Sequence, residues 1–136
     1  MTQLPPDVLA ELPARLEDPT AWQAALHLAL PRLCPVWFGR QITGKKKVER
    51  GGWMQGMPSG AADLTGFARG GLRLELEAKL GAGRLEPDQK RWRKVCQSWG
   101  VLHLVAHANH AEPTVDQVLR VAVELNAALA ARGVTQ

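Results

Sequence analysis

The sharpest pattern in the chain lies at residues 72–79, Leu72-Arg73-Leu74-Glu75-Leu76-Glu77-Ala78-Lys79, where apolar and charged positions alternate without a break. Side chains of a strand point to alternate faces, so Leu72, Leu74, Leu76 and Ala78 share one face and Arg73, Glu75, Glu77 and Lys79 the other. Before it comes Ala61-Ala62-Asp63-Leu64-Thr65-Gly66-Phe67, joined through Ala68-Arg69-Gly70-Gly71. A three-residue loop at Arg69-Gly70-Gly71, with Gly at its left-handed position, pairs Ala68 with Leu72, Thr65 with Glu75 and Asp63 with Glu77. Ala62, Leu64 and Gly66 then fall opposite Ala78, Leu76 and Leu74, and both strands bury the same face. A two-residue loop would slip the register by one and turn Asp63 away. The burial pattern therefore predicts that Asp63 and Glu77 are direct cross-strand neighbours.

Elsewhere the period lengthens. Residues 1–19 are punctuated by proline and predict a loop with at most a short helix; the domain proper is read as residues 20–136. Thr20 is placed to cap a helix through Trp22, Ala25, Leu26 and Ala29 that Pro31 or Pro35 ends. Val36 to Ile42 predicts a strand, and Thr43 to Gly60 a long loop, too long to be idle in a compact domain and so expected to touch substrate. Trp53 within it reads as an anchor rather than a platform for a base. Glu86-Pro87-Asp88 opens a helix in which Trp92, Val95, Cys96 and Trp99 form an apolar stripe stopped by Gly100. Gln89 stands at the upper end of that stripe, and a polar group aimed inward needs a partner. Val101 to Ala106 predicts a strand joined by parallel crossover, and Thr114 or Pro113 starts a last helix carrying Val118, Leu119, Val121, Ala122, Leu125 and Leu129 inward. The order helix, strand, strand, strand, helix, strand, helix is that of a single α/β domain with a mixed sheet flanked by helices.

Two like charges opposite each other on a sheet destabilise it unless positive charge lies between them. Lys79 supplies part of that charge, and a hard divalent cation, Mg²⁺ or Mn²⁺, suits the rest. Such a set can activate water and stabilise charge developing on a phosphate, which is the chemistry of phosphodiester hydrolysis. Glu75 shares the face but is assigned instead to an ion pair with Arg73 or Lys90.

Composition narrows the class. With 136 residues and 46% hydrophobic content, the chain is expected to form one domain with its own core. No apolar run approaches the roughly 20 residues of a membrane span, and an N-terminus with Asp7 and Glu11 lacks a signal-peptide pattern, so a soluble, cytoplasmic protein is expected. Cys34 and Cys96 have no metal-binding spacing and read as reduced core thiols. The net charge is only +4, but the basic residues cluster. Lys45, Lys46, Lys47 and Arg50 form one group and Arg84, Lys90, Arg91, Arg93 and Lys94 another, on either side of the acids in sequence. That density suits a polyanion, and nucleic acid is the expected partner.

Asp63, then Glu77-x-Lys79, then Gly81-x-Gly83-Arg84-Leu85-x-Pro87-x-Gln89 and Trp92, resembles the PD-(D/E)xK nucleases, and within them the VRR-NUC branch of virus-type replication and repair nucleases. The resemblance runs from about residue 22 to residue 105. It implies a restriction-endonuclease-like fold and a metal-dependent DNA endonuclease. By the same resemblance Asp63, Glu77 and the Ala78 backbone carbonyl would be metal ligands, Lys79 would position the water and Gln89 would support the site. Small members of the branch are similar to homodimeric enzymes that act on branched DNA, including four-way (Holliday) junctions. The motif departs from the family in two places. Ala62 replaces the proline, which supplies no ligand. Pro19 and Thr20 also occupy the place of a helix-borne acid near Gln23, so Glu17 or Asp18 must substitute or the site holds one metal. A restriction-type or nicking nuclease is the nearest alternative, and a nucleic-acid-binding module with weakened catalysis the alternative from another class. His107-Ala108-Asn109-His110 lacks the spacing of a His-Asn-His nuclease and reads as a loop.

Overall fold

The structure, a computed structural model, describes residues 3–43, 45–47 and 49–135, without the side chains at 45–47 and 53–55. Its main sheet has the order β1 (Val36–Arg40), β4 (Leu64–Ala68), β5 (Arg73–Leu80), β6 (Leu102–Ala108); β1, β4 and β5 pair antiparallel, and β6 runs parallel to β5. The register of β4 on β5 is the one the alternation demands: Thr65 faces Glu75, Leu64 faces Leu76 and Gly66 faces Leu74. Gly70 and Gly71, both at φ of 90°, make the turn, and Ala68 N–H donates to the Leu72 carbonyl at 2.8 Å.

One face of the sheet is covered by α2 (Pro19–Leu33) and α4 (Thr114–Ala131), whose Trp22, Leu26, Leu30, Val118, Val121 and Leu125 bury against Leu64, Leu74, Leu76 and Ala78. Trp22 Nε1 also donates to the Ala106 carbonyl, 3.0 Å away in this core. The N-terminal segment, with the short helix α1 (Pro6–Glu11), packs Leu4, Val8 and Leu16 into the same cluster. At Gly66 an added Cβ would stand 1.8 Å from the Trp37 carbonyl oxygen, so β1 can close on β4 only over a glycine. The other face carries Glu75, Glu77 and Lys79 and is roofed by α3 (Pro87–Ser98), the crossover between β5 and β6.

The protein is thus a single small α/β domain with a four-stranded mixed sheet flanked by helices. No helix among the described residues is long and apolar enough to cross a membrane.

Several local expectations are corrected. Asp18, not Thr20, caps α2, accepting from Ala21 N–H at 2.8 Å, and of the two prolines expected to end the helix it is Pro35 that lies at its end, the helix running through Pro31 to Leu33 because a proline that near the end forfeits little of the ladder. Strand β1 stops at Arg40, since Gln41 turns its side chain to the Ala62 carbonyl and Glu75. The expected loop at 43–60 contains a second, two-stranded sheet of β2 (Lys45–Lys47) and β3 (Trp53–Gln55); a run of three lysines shows no alternation, and Gly51 and Gly52 at positive φ turn the chain. Strand β6 extends to Ala108, taking His107 and Ala108 out of the expected loop. Trp99 is 82% exposed and lies beyond the last helical residue, so it leaves the apolar stripe it was expected to share. Val95 is also exposed, which narrows the inward seam of α3 to Gln89, Trp92 and Cys96.

Candidate active site

Asp63 sits one residue before β4, where pairing with β5 has ended. Its Oδ2 takes over from the ladder and accepts the Ala78 backbone N–H at 2.8 Å. That bond lays the carboxylate across β5 beside Glu77, as the register predicted. The N–H and C=O of one strand residue point to the same edge, so the Ala78 carbonyl is directed to this end of β4 as well.

Glu77 is only 3% exposed. Its Oε1 accepts from Gln89 Nε2 at 3.1 Å, whereas Oε2 is buried without a hydrogen-bond partner among the described residues. Burial, then the Asp63 carboxyl group beside it, push Glu77 up to about 8, against an opposing pull from Lys79. A carboxyl so placed is satisfied either by a proton shared with Asp63 or by a cation between them.

Gln89 is held for this task from its other end. Its Oε1 accepts Glu86 N–H at 2.8 Å in a capping box, leaving the amide nitrogen for Glu77. The start of α3 is pinned to the segment before Asp63: Ser59 Oγ donates to Asp88 Oδ2 at 2.5 Å, and a Cβ on Gly60 would stand 2.4 Å from the Asp88 carbonyl oxygen. Residues 59–63 and residue 89 therefore approach Glu77 as one unit. Lys79 is half-buried on the same face and neighbours His107 across the parallel pair.

Glu75, one step back along the face, is 1% exposed and fully engaged. Oε1 accepts from Trp92 Nε1 at 2.7 Å and Gln41 Nε2 at 2.9 Å, and Oε2 pairs with Arg73 at 3.3 Å. The expected ion pair is thus with Arg73. Gln41 and Trp92 were not anticipated as polar partners. The legible signal was Trp92, which stands three residues after Gln89 on the seam facing the acids.

Neither candidate for the helix-borne acid reaches the site: Asp18 is spent on the α2 cap and Glu17 is exposed. No group of three or more His, Cys, Asp or Glu side chains that could hold a metal occurs among the described residues, so Asp63 and Glu77 stand as two carboxylates plus backbone. Of the expected nucleic-acid contacts, Arg50, Arg84, Lys90, Arg91 and Lys94 are exposed, and the side chains of Lys45, Lys46, Lys47 and Trp53 lie outside the described part. Asn109 and His110 are structural: Asn109 Oδ1 accepts from Ala111 and Glu112 N–H, and His110 Nδ1 is 2.8 Å from the Leu16 carbonyl oxygen. Cys34 and Cys96 are buried free thiols, pushed up by burial to about 12 and about 11.

No family model matches the sequence, and neither the curated proteins nor the solved structures give a match.

Proposed function

We propose that the chain is a divalent-metal-dependent DNA endonuclease of the PD-(D/E)xK type, close to the VRR-NUC branch, with a restriction-endonuclease-like fold. The observation that carries this reading is the buried, unpartnered Oε2 of Glu77 beside the Asp63 carboxylate, with Lys79 on the same face. Burying a carboxylate oxygen without a donor costs several kcal/mol, roughly 2–7 for a neutral polar group and more for a charge, and a fold retains it where a ligand repays it. A hard cation fits this donor set: two carboxylates and a backbone carbonyl, the remaining positions left to water and phosphate oxygens.

Asp63, Glu77 and the Ala78 carbonyl would hold Mg²⁺ or Mn²⁺. When bound, the cation supplies Lewis acidity to a phosphate and lowers the pKa of water. The Lys79 ammonium orients the attacking water toward phosphorus and offsets negative charge as the phosphodiester opens. Gln89 acts through Glu77, fixing its Oε1 and leaving Oε2 free for the cation it would hold. Selection for branched DNA and a homodimer placing two sites on a two-fold axis rest on the family resemblance alone.

The second reading, a nucleic-acid-binding module with weakened catalysis, is favoured by one observation: no third acid joins Asp63 and Glu77 among the described residues. Incubation with labelled linear, flapped and four-way DNA in Mg²⁺ or EDTA separates the two. The nuclease reading expects cutting in Mg²⁺, none in EDTA and none by Lys79→Ala. Binding without metal-dependent cutting supports the module. Cutting that survives Asp63→Ala, Glu77→Ala and Lys79→Ala overturns the proposed site.

A further inference from the structure

Helix α3 presents a second stripe beside its inward seam. Lys90, Arg93, Lys94 and Gln97 follow one another at helical spacing and, with Arg84 of the preceding loop, wall an open groove of about 720 Å³. The floor is β6, an edge strand of the sheet, which contributes His103, Val105 and His107. Across the parallel pair Val105 neighbours Glu77 and His107 neighbours Lys79, so the groove opens directly beside the candidate site. None of its lining residues is acidic, and none of its four Arg and Lys side chains has an ion-pair partner among the described residues. Four uncompensated cations in one concave surface focus a positive potential there.

The floor differs in character from the wall. His103 is 7% exposed, and its Nδ1 is buried without a partner among the described residues. Burial, with Arg93 next in weight, holds this imidazole below its ordinary pKa and therefore uncharged at neutral pH. His107, exposed on the same floor, offers a ring on which an unpaired base stacks, and Leu85 and Val105 extend the apolar surface beside it. Lys90 and Lys94 are ~6 Å apart along the helix axis, one turn, which suits successive phosphates of an extended strand. The volume falls in the range of sites for single small ligands, roughly 300–1,000 Å³, which accommodates a few nucleotides of one strand.

We propose that this groove seats a single, unpaired nucleic-acid strand running along β6 to the Lys79 end of the site, its phosphates on Arg84, Lys90, Arg93 and Lys94 and its bases over His107. The assignment rests on the nuclease reading for its purpose. It makes the substrate a nucleic acid with an unpaired stretch on one side of the bond that is cut.

Fluorescence anisotropy in EDTA tests the groove apart from catalysis. Labelled oligothymidine should bind the full chain more tightly than a blunt duplex of equal length at matched salt. Arg93→Ala with Lys94→Ala should weaken oligothymidine about tenfold and flatten its salt dependence by ~1.4, at ~0.7 per single-strand phosphate contact. Arg15→Ala, a charge lost from the N-terminal segment, should leave binding unchanged. An oligouridine that binds more tightly than oligothymidine, with the same sensitivity to the double variant, supports the groove and assigns it to ribose. Nitrogen-15 spectra of the imidazoles supply a readout independent of variants, because a phosphorylated thymidine dinucleotide should shift His107 and leave His110 in place. Duplex binding as tight as oligothymidine, or a double variant that binds like the parent, overturns the groove even where Lys79-dependent cutting in Mg²⁺ persists. Absence of such cutting with intact groove binding overturns the nuclease reading instead.

Discussion

Glu75 and Glu77 stand two residues apart on one face of β5 and are almost equally buried, at 1% and 3% exposure, yet they live in opposite environments. Around Glu75 the fold has gathered Trp92, Gln41 and Arg73, so both of its oxygens are engaged. Around Glu77 it has placed one amide and a second carboxylate, leaving Oε2 unpartnered and the group pushed up to about 8. A buried charge with its partners in place is part of the architecture. A buried charge left short of partners is a position held for something else.

The largest expected effect separates the two by activity. Glu77→Gln should lower metal-dependent cutting about 10²-fold or more, because it removes a charged ligand while keeping the shape. Its melting temperature in EDTA should not fall at pH 8 and above, where Glu77 ionises and the amide relieves the repulsion from Asp63. Glu75→Ala should do the reverse. It leaves Trp92 Nε1 and Gln41 Nε2 without their acceptor, a loss of about 2 kcal/mol, or roughly 8 °C in melting temperature for a domain of this size. Cutting measured well below that temperature should stay near the parent level. Equal losses of activity in both variants would collapse the distinction.

The titration of Glu77 gives a second, smaller effect. The unfolded chain releases this proton near the ordinary value of 4.5, the folded chain near 8, so between those values the native state binds more protons. The contribution of Glu77 to stability in EDTA therefore declines as pH rises from about 4.5 to about 8 and levels off above, and the net decline should be clearest between about 6.5 and 8, the slope following the difference in bound protons. Asp88 and Glu112, which are held below their ordinary values, act only below that window, whereas His103, held below 6.5, raises stability as pH rises toward 6.5 and opposes Glu77 in the lower part of it. Glu77→Gln should flatten the decline, and Mg²⁺ at pH 8 should raise the melting temperature of the parent more than that of the variant. A parent whose melting temperature follows the same pH profile as Glu77→Gln would mean that Glu77 is ionised and compensated without a cation.

How much of this was legible in the sequence follows from how local each cause is. Strict alternation from Leu72 to Lys79, with a two-glycine turn before it, defined the register of β4 on β5 and with it the meeting of Asp63 and Glu77, because a slip of one residue would bury charge and expose leucine. Gln89 was legible too, as a polar residue on an inward seam. The partners of Glu75 were not, since Gln41 lies 34 residues away and reaches it only where β1 ends. Nor was the hairpin of β2 and β3, whose run of three lysines has no alternation of apolar and polar residues. The basic wall of the groove was legible as a cluster of charge, but its floor was not, because residues 90–97 of a helix and 103–107 of an edge strand share no pattern along the chain.

The smallest effects concern two tryptophans that the sequence placed on one stripe. Trp92 is half-buried with its Nε1 on Glu75; Trp99 is 82% exposed. Trp92→Phe keeps most of the ring and deletes the N–H, so Glu75 loses one of its donors and stability should drop by about 1 kcal/mol. Trp99→Ser removes a side chain already in water and should change stability by less than about 0.5 kcal/mol. Thermal melts of the two variants in parallel check the contrast. A Trp99→Ser variant that melts as low as Trp92→Phe would mean that Trp99 is covered in solution, and sedimentation would then show whether a second copy of the chain covers it.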